Sequence, residues 1–359
     1  MTLGTVVADR TLRFLVTISL VLALGACGNG ENRVVEASDP VDLGTAFNFS
    51  ENNMDDAAGI GIKLLELIPR FSGITLGLFD LFMNRVAVAN IWFRPTGIIS
   101  IPVGDDLCLG GGRAQLRWKD ADNNAQLSRG DSAELDLVSC DFVDDERADT
   151  VRGVVTFGFI SGALTGSTAI EANLTLSVQI SDDAGSQTLV GNFGLSVTRS
   201  DLMNYTATYT AEDPDGFLRA REGPQNIRLG CFNIVQTFSI GTLEEGYYNT
   251  SLSPNAVVNA NGKTFSVTSS GFAPLAFQPH EVEDYSYPDA GGIRFFSYLL
   301  PGEEGCAAVG SPDGVGDSDG SNFILWAPPG DSDDVTLELR DQADNTVATV
   351  NTTWAELAD

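Results

Sequence analysis

Lysine is nearly missing from this chain. It stands only at Lys63, Lys119 and Lys263, and histidine only at His280. With 49 acids against 20 lysines and arginines, the formal net charge is −29. Such a surface repels phosphate backbones and anionic headgroups, which argues against nucleic acid as a partner. A single histidine leaves a Ser-His-Asp triad only His280, in Phe277-Gln-Pro-His-Glu-Val-Glu-Asp284, and no G-x-S-x-G turn presents a nucleophile. No C-x-x-C pair offers a zinc site, and the glycines at 110–112 are not followed by the Lys-Ser/Thr of a phosphate loop. Long hydrophobic runs are lacking too. The apolar stretch 71–93 carries Asp80, Asn84 and Arg85, charges that are costly in lipid, so it reads as buried core.

What is present begins at the N-terminus. Arg10 and Arg13 precede an apolar run of 13 residues, Phe14 to Ala26, too short for a permanent span and matched to the core of an export signal. The run ends Leu24-Gly25-Ala26-Cys27, which resembles the lipobox of bacterial lipoproteins. The resemblance implies cleavage after residue 26 and acylation of Cys27 as the mature N-terminus, tying the protein to a membrane by lipid. Gly28 follows, not the Asp that in this family retains lipoproteins at the inner membrane, so the outer membrane of a Gram-negative envelope is the expected location. Cleavage removes Asp9, Arg10 and Arg13 and so moves the net charge from −29 to −30.

Five cysteines fit that compartment. With Cys27 acylated, Cys108, Cys140, Cys231 and Cys306 remain, an even set that reads as two disulfides with three connectivities open. The expected pairs are Cys108–Cys140 and Cys231–Cys306. Cys108 lies just before one strand-like segment and Cys140 ends its neighbour.

Residues 27–53 read as a flexible tether. From Met54 to Ile68, apolar residues recur at helical spacing, with Pro69 closing the run and Gly59 and Gly61 weakening it. The helical and apolar segment as a whole is bounded at 54–95. Beyond it, short alternating segments separated by Gly, Asn, Asp and Ser recur at 113–119, 132–138, 151–160, 169–180, 187–198, 203–210, 232–240, 263–269, 292–300, 335–340 and 346–353. No long helical pattern intervenes, which excludes βαβ units. The fold class is therefore mainly β and antiparallel, a sandwich, a curved meander or a barrel of about a dozen strands or more. The polar stretch 211–224 is the candidate boundary between β regions 96–225 and 226–359, unless these form one continuous domain.

The sharpest chemical pattern is Trp118-Lys-Asp-Ala-Asp-Asn-Asn-Ala-Gln-Leu-Ser-Arg-Gly-Asp131. Both flanks alternate with period two, so the segment is a hairpin that pairs Trp118 with Ala133, Leu116 with Leu135 and Arg117 with Glu134. Within the loop, Asp120, Asp122, Asn124, Ser128 and Asp131 fall at positions 1, 3, 5, 9 and 12 of an EF-like calcium pattern, with the Gln126 carbonyl at 7. Ala125 replaces the usual turn glycine and Asp131 the usual bidentate Glu. A solvated turn is the competing expectation. Two further acidic loops, Asp313–Gly320 and Asp331–Asp334, offer weaker cation sites; the first resembles a fragment of the Asp/Gly-rich calcium repeats of extracellular proteins. Tyr285 and Tyr287 concentrate rings in a loop where they can stack on a glycan, or else fill a strand.

The acidic run and the closing Asn351-Thr-Thr-Trp-Ala-Glu-Leu357 resemble segments of β-rich Gram-negative lipoproteins, a likeness that covers little of the chain and brings no activity with it. Three functions compete. The first is a non-enzymatic, lipid-anchored structural, adhesive or ligand-binding protein, stabilised by calcium. The second is a carrier whose curved sheet holds a lipid or other apolar ligand under the 54–93 segment. The third is a polysaccharide hydrolase working through paired carboxylates.

Overall fold

A computed structural model describes residues 45–89, 98–102, 108, 110–124, 127–141, 150–162, 169–182, 185–199, 204–211, 216–240, 248–269, 271–277, 288–298, 318–328 and 333–358. The chain is mainly β. Its strands are β1 (Thr45–Ala46), β2 (Ile98–Pro102), β3 (Gly111–Lys119), β4 (Ser132–Asp141), β5 (Thr150–Ser161), β6 (Ala169–Asp182), β7 (Gly185–Arg199), β8 (Asn204–Thr210), β9 (Phe217–Glu222), β10 (Gln225–Ile240), β11 (Tyr248–Ala260), β12 (Lys263–Thr268), β13 (Leu275–Phe277), β14 (Gly291–Phe296), β15 (Asn322–Ala327), β16 (Asp334–Arg340) and β17 (Thr346–Thr353). Helix α1 spans Met54–Ala89, and a short α2 spans Trp354–Ala358.

The seventeen strands among the described residues belong to one sheet, a meander whose pairings are antiparallel except that of β1. Two strand positions are split. β7 pairs with β9 through Gln187–Asn192 and with β8 through Gly194–Arg199, and β10 repeats the arrangement on the other side. The polar stretch 211–224 therefore falls inside the ladder, and the β regions on either side of it share one sheet. β12 and β13 likewise share the flank of β11, and Pro254 sits between the two registers, where no ladder bond to either is interrupted. β1 joins β12 in parallel.

Across β3 to β6 the sheet is one-sided, whereas β12, β14 and β15 are buried on both faces. Leu116, Leu135, Val155 and Leu176 stand side by side on β3 to β6, each at most 2% exposed. The row one residue on, Arg117, Glu134, Thr156 and Thr175, faces solvent or is half-buried. Apolar-in and polar-out is the reverse of a membrane-spanning barrel, whose lipid-facing band is apolar. No helix among the described residues is long and apolar enough to cross a membrane.

Helix α1 covers the apolar face. Phe71 meets Phe193 and Tyr209 edge-on at 5.9 and 5.1 Å, and Phe79 meets Phe157 at 6.0 Å. Toward the other end, a Cβ on Gly61 would lie 3.2 Å from the side chains of both Leu325 and Phe295, so the helix backbone packs closely on β14 and β15 there. One helix touching β5, β7, β8, β14 and β15 requires the sheet to curl around it, and a single apolar cluster joins them all.

The helix corrects the sequence reading, which closed it at Pro69. Proline removes one i→i−4 bond and costs about 3 kcal/mol in a helix interior. Against this stand Met54, Ile62, Leu64, Leu65, Leu67, Ile68, Phe71 and Phe79, all buried, each stabilising by roughly 1.5–3 kcal/mol. Tertiary burial outweighs the local penalty, and the helix continues. The expected tether is also shorter than 27–53. Residues 45–46 form β1, and Phe49 is buried against Phe265 and Phe323.

A disulfide joins Cys108 to Cys140, as expected from the sequence. Closing a loop of this size contributes roughly 3.5–4 kcal/mol by chain entropy. Cys231 is also disulfide-bonded, to a partner outside the described residues, where Cys306 and Cys27 both lie. Beside Cys140 the ladder bulges: the register with β5 shifts between Leu137 and Cys140, and that with β3 between Val138 and Asp141, with Ser139 at φ 50°. Gly153, at φ 133°, faces this bulge from β5. A Cβ there would lie 2.1 Å from the Ser177 carbonyl oxygen, whereas Gly185 has open space around it. Gly153→Ala is expected to lower unfolding free energy by more than about 2 kcal/mol and Gly185→Ala by less than about 0.5; equal denaturant midpoints for the two variants would contradict the packing described here.

Candidate functional site

The hairpin that carries the acidic loop forms in the register read from the sequence. Trp118 pairs with Ala133, Leu116 with Leu135 and Arg117 with Glu134, whose carboxylate lies 2.6 Å from the Arg117 guanidinium. Alternation fixed that register because a one-residue slip would turn Trp118, now 2% exposed, out to solvent.

Between the strands, Asp120, Asp122 and Asp131 each bring a carboxylate oxygen within 4.8 Å of the others. Asp131 is fully buried and Asp120 nearly so, while Asp122 is exposed. The loop's own donors meet them. Asp131 accepts from the Ala121 N–H at 2.8 Å through one oxygen, and from the Ser128 N–H at 2.7 Å and hydroxyl at 3.1 Å through the other. The Asn124 N–H is shared between Asp120 and Asp122 at 3.2 Å each. Asp122 takes two more bonds, from the Asn124 side-chain amide at 2.8 Å and the Ser128 hydroxyl at 3.1 Å. Asn123 adopts the left-handed φ of 58° that the tight turn demands.

The structure thus gathers Asp120, Asp122, Asn124, Ser128 and Asp131 into one loop. Gln126 lies outside the described residues. As it stands, the set is a hydrogen-bonded turn: backbone and hydroxyl donors offset charge that would otherwise repel. The same hard oxygens suit a hard dication and no soft metal.

The remaining site candidates divide similarly. Cys27, His280, Tyr285, Tyr287 and Cys306 lie outside the described residues, as do 313–317 and 331–332. Asp319, from the second acidic loop, accepts from the Ser321 N–H at 2.9 Å, while its own N–H donates to the Asn48 side chain at 3.0 Å. It fastens the loop to the N-terminal segment.

Sequence reasoning missed a charge network at the β16–β17 hairpin. Arg340 binds Glu338 at 2.9 Å and Asp344 at 3.3 Å, and Asp344 also binds Arg294. Burial raises the Asp344 pKa, but the Arg340 hydrogen bond and the two guanidinium charges outweigh it and hold the carboxyl below its ordinary value. Glu338 is lowered in the same way, burial opposing and Arg340 with Thr346 prevailing. The signal was the alternation of Glu338 and Arg340 on one face of the strand.

Sequence reasoning also missed a buried polar stripe. The Tyr209 hydroxyl lies 3.2 Å from the Ser72 carbonyl and 3.2 Å from the Gln236 side-chain oxygen, under helix α1. Thr250 stands on the next strand, opposite Phe238 and two residues from Leu252, which itself faces Gln236.

No family model matches the chain, and neither a curated protein nor a solved structure matches it.

Burial separates the acids of the loop. Asp131→Ala would strand the Ala121 and Ser128 N–H groups and should cost about 2–3 kcal/mol. Asp122→Ala, at the surface, should cost under about 1 kcal/mol. Urea midpoints measured without added metal check the order, and a larger loss for Asp122→Ala would reverse this assignment of roles.

Proposed function

We propose that this chain is a non-enzymatic, lipid-anchored protein of the cell envelope whose curved sheet serves as a binding scaffold. The observation that carries the reading is the meander closed over by α1, with one apolar cluster gathered beneath the helix. A body of this kind offers two surfaces for work: the acidic loops at its rim and the apolar interior under the helix. The Leu24-Gly25-Ala26-Cys27 lipobox supplies the anchor, at the outer membrane. Metabolic labelling with an alkyne fatty acid should mark the wild-type protein and leave Cys27→Ser unmarked. A variant that labels as strongly as the wild type would end the lipoprotein reading.

A specific observation favours the carrier form of this reading. The covering helix has a sequence that can part from the sheet: Pro69 breaks its hydrogen-bond ladder midway, and a polar stripe lies beneath it. An apolar ligand would then lie between helix and sheet.

Calcium at the β3–β4 loop is the proposed stabiliser of the rim. Asp120, Asp122 and Asp131 would hold it, with Asn124, Ser128 and the Gln126 carbonyl completing an oxygen shell. A weak extracellular-type site has a Kd on the order of 10⁻⁴ to 10⁻³ M. Millimolar calcium should then raise the melting temperature of the wild type and not of Asp120→Asn/Asp122→Asn. Equal shifts in the two proteins would leave the loop a self-sufficient turn.

A further inference from the structure

We infer that the polar stripe beneath α1 is a binding site for the uncharged headgroup of an amphiphile, a glycerol ester of a fatty acid being the chemical class that fits; the inference rests on the carrier reading. Ser72 and Thr75 are both fully buried on the helix. Thr75 lies one turn from Phe71 and one turn from Phe79, so it shares the stripe that meets Tyr209, Phe193 and Phe157. On the sheet, the fully buried Tyr209 meets Ser72 and Gln236, and Thr250 is the diagonal neighbour of Gln236 on β11; Gln236 and Thr250 are each 4% exposed.

Two of these groups have unmet hydrogen-bonding capacity. The Thr75 and Thr250 hydroxyls find no hydrogen-bond partner among the described residues. Tyr209 has one proton for two acceptors, the Ser72 carbonyl and the Gln236 oxygen, so turning the Gln236 amide over satisfies the tyrosine and frees a carbonyl oxygen. A buried hydroxyl without a partner is destabilising, because it has given up its bonds to water for none in the protein. A core built only for stability would carry Val at both threonine positions, at nearly the same volume.

The chemistry selects the headgroup. The buried charged side chains among the described residues are Asp120 and Asp131, in the β3–β4 turn, and Arg228, which alternation places on the outer face of β10 and which stacks over Phe217 at 4.6 Å. None lies in the stripe. Hydroxyls and one amide can donate to an ester carbonyl and accept from a glycerol hydroxyl, but they cannot neutralise a carboxylate or phosphate withdrawn from water. The stripe also leads outward. From Tyr209 it passes to Gln236 and then to Thr250, two residues from the start of β11, so a headgroup seated there leaves its chain along Leu252, Leu275 and Ala207, all buried and apolar. Pro69, where the helix lacks one backbone bond, is the point at which α1 gives way.

The full chain, stripped of lipid, is titrated with the apolar fluorophore N-phenyl-1-naphthylamine, which is then displaced by monooleoylglycerol or by oleate at neutral pH. The wild type should release the fluorophore to the glycerol ester at a concentration at least tenfold lower than to oleate. Thr75→Val/Thr250→Val, and separately Gln236→Leu, should need at least tenfold more ester while still taking up the fluorophore as the wild type does. Oleate displacing as well as the ester from the wild type, or variants responding as the wild type does, overturns the headgroup site and leaves the carrier reading standing. Failure of every protein to take up the fluorophore overturns both. The wild-type comparison of ester with oleate decides the matter even where a variant does not fold.

Discussion

A sheet with one apolar face must find something to cover it. Here the strands present rows such as Leu116, Leu135, Val155 and Leu176 inward, and burying a residue of this size is worth roughly 1.5–3 kcal/mol. Antiparallel sheets often solve the problem by packing on a second sheet. This chain solves it with one helix. Contacts from α1 to strands far apart in the meander bend the sheet about a common axis. The remaining features serve that enclosure: at Gly61 the helix packs closely on β14 and β15, the split positions β8/β9 and β12/β13 accommodate curvature, and Phe49 with α2 seals flanks of the core.

Covering by a helix differs from covering by a sheet in one respect that matters for function. A second sheet is tied in through many strands, whereas α1 is a single segment whose own backbone bonds are satisfied along its axis. Separating it from the sheet therefore exposes side chains but strands few backbone groups. Polar residues stand at that seam: Ser72, Thr75, Tyr209 and Gln236 are all buried there.

The rim follows another logic. Its acids are organised by local donors: Asp131 by Ala121 and Ser128, Asp341 by Asn345, Asp319 by Ser321. In a chain of net charge −29, each turn that converts a carboxylate into an acceptor of N–H bonds removes a source of repulsion. The arginines act alongside them, clamping Glu338 and Asp344 at the last hairpin. Excess acidity is accommodated by geometry, turn by turn.

Much of this was legible in the residues. Alternation marked eleven of the strands and fixed the β3–β4 register, because a period of two admits only one buried face. It placed Cys108 beside Cys140 and gathered Asp120, Asp122 and Asp131 in one turn. Other strands escaped for physical reasons: β15 is apolar on both faces, so Asn322-Phe-Ile-Leu-Trp-Ala327 shows no alternation, and β11 carries Pro254 where a neighbouring register gap tolerates it. Tertiary structure alone decided the rest. Pro69 and Gly61 read locally as helix breakers, yet α1 runs through both, since burial against the sheet exceeds the cost of one missing bond. The polar stripe was equally invisible, because Ser72, Tyr209 and Gln236 are far apart in the chain and meet only when the sheet has closed around the helix.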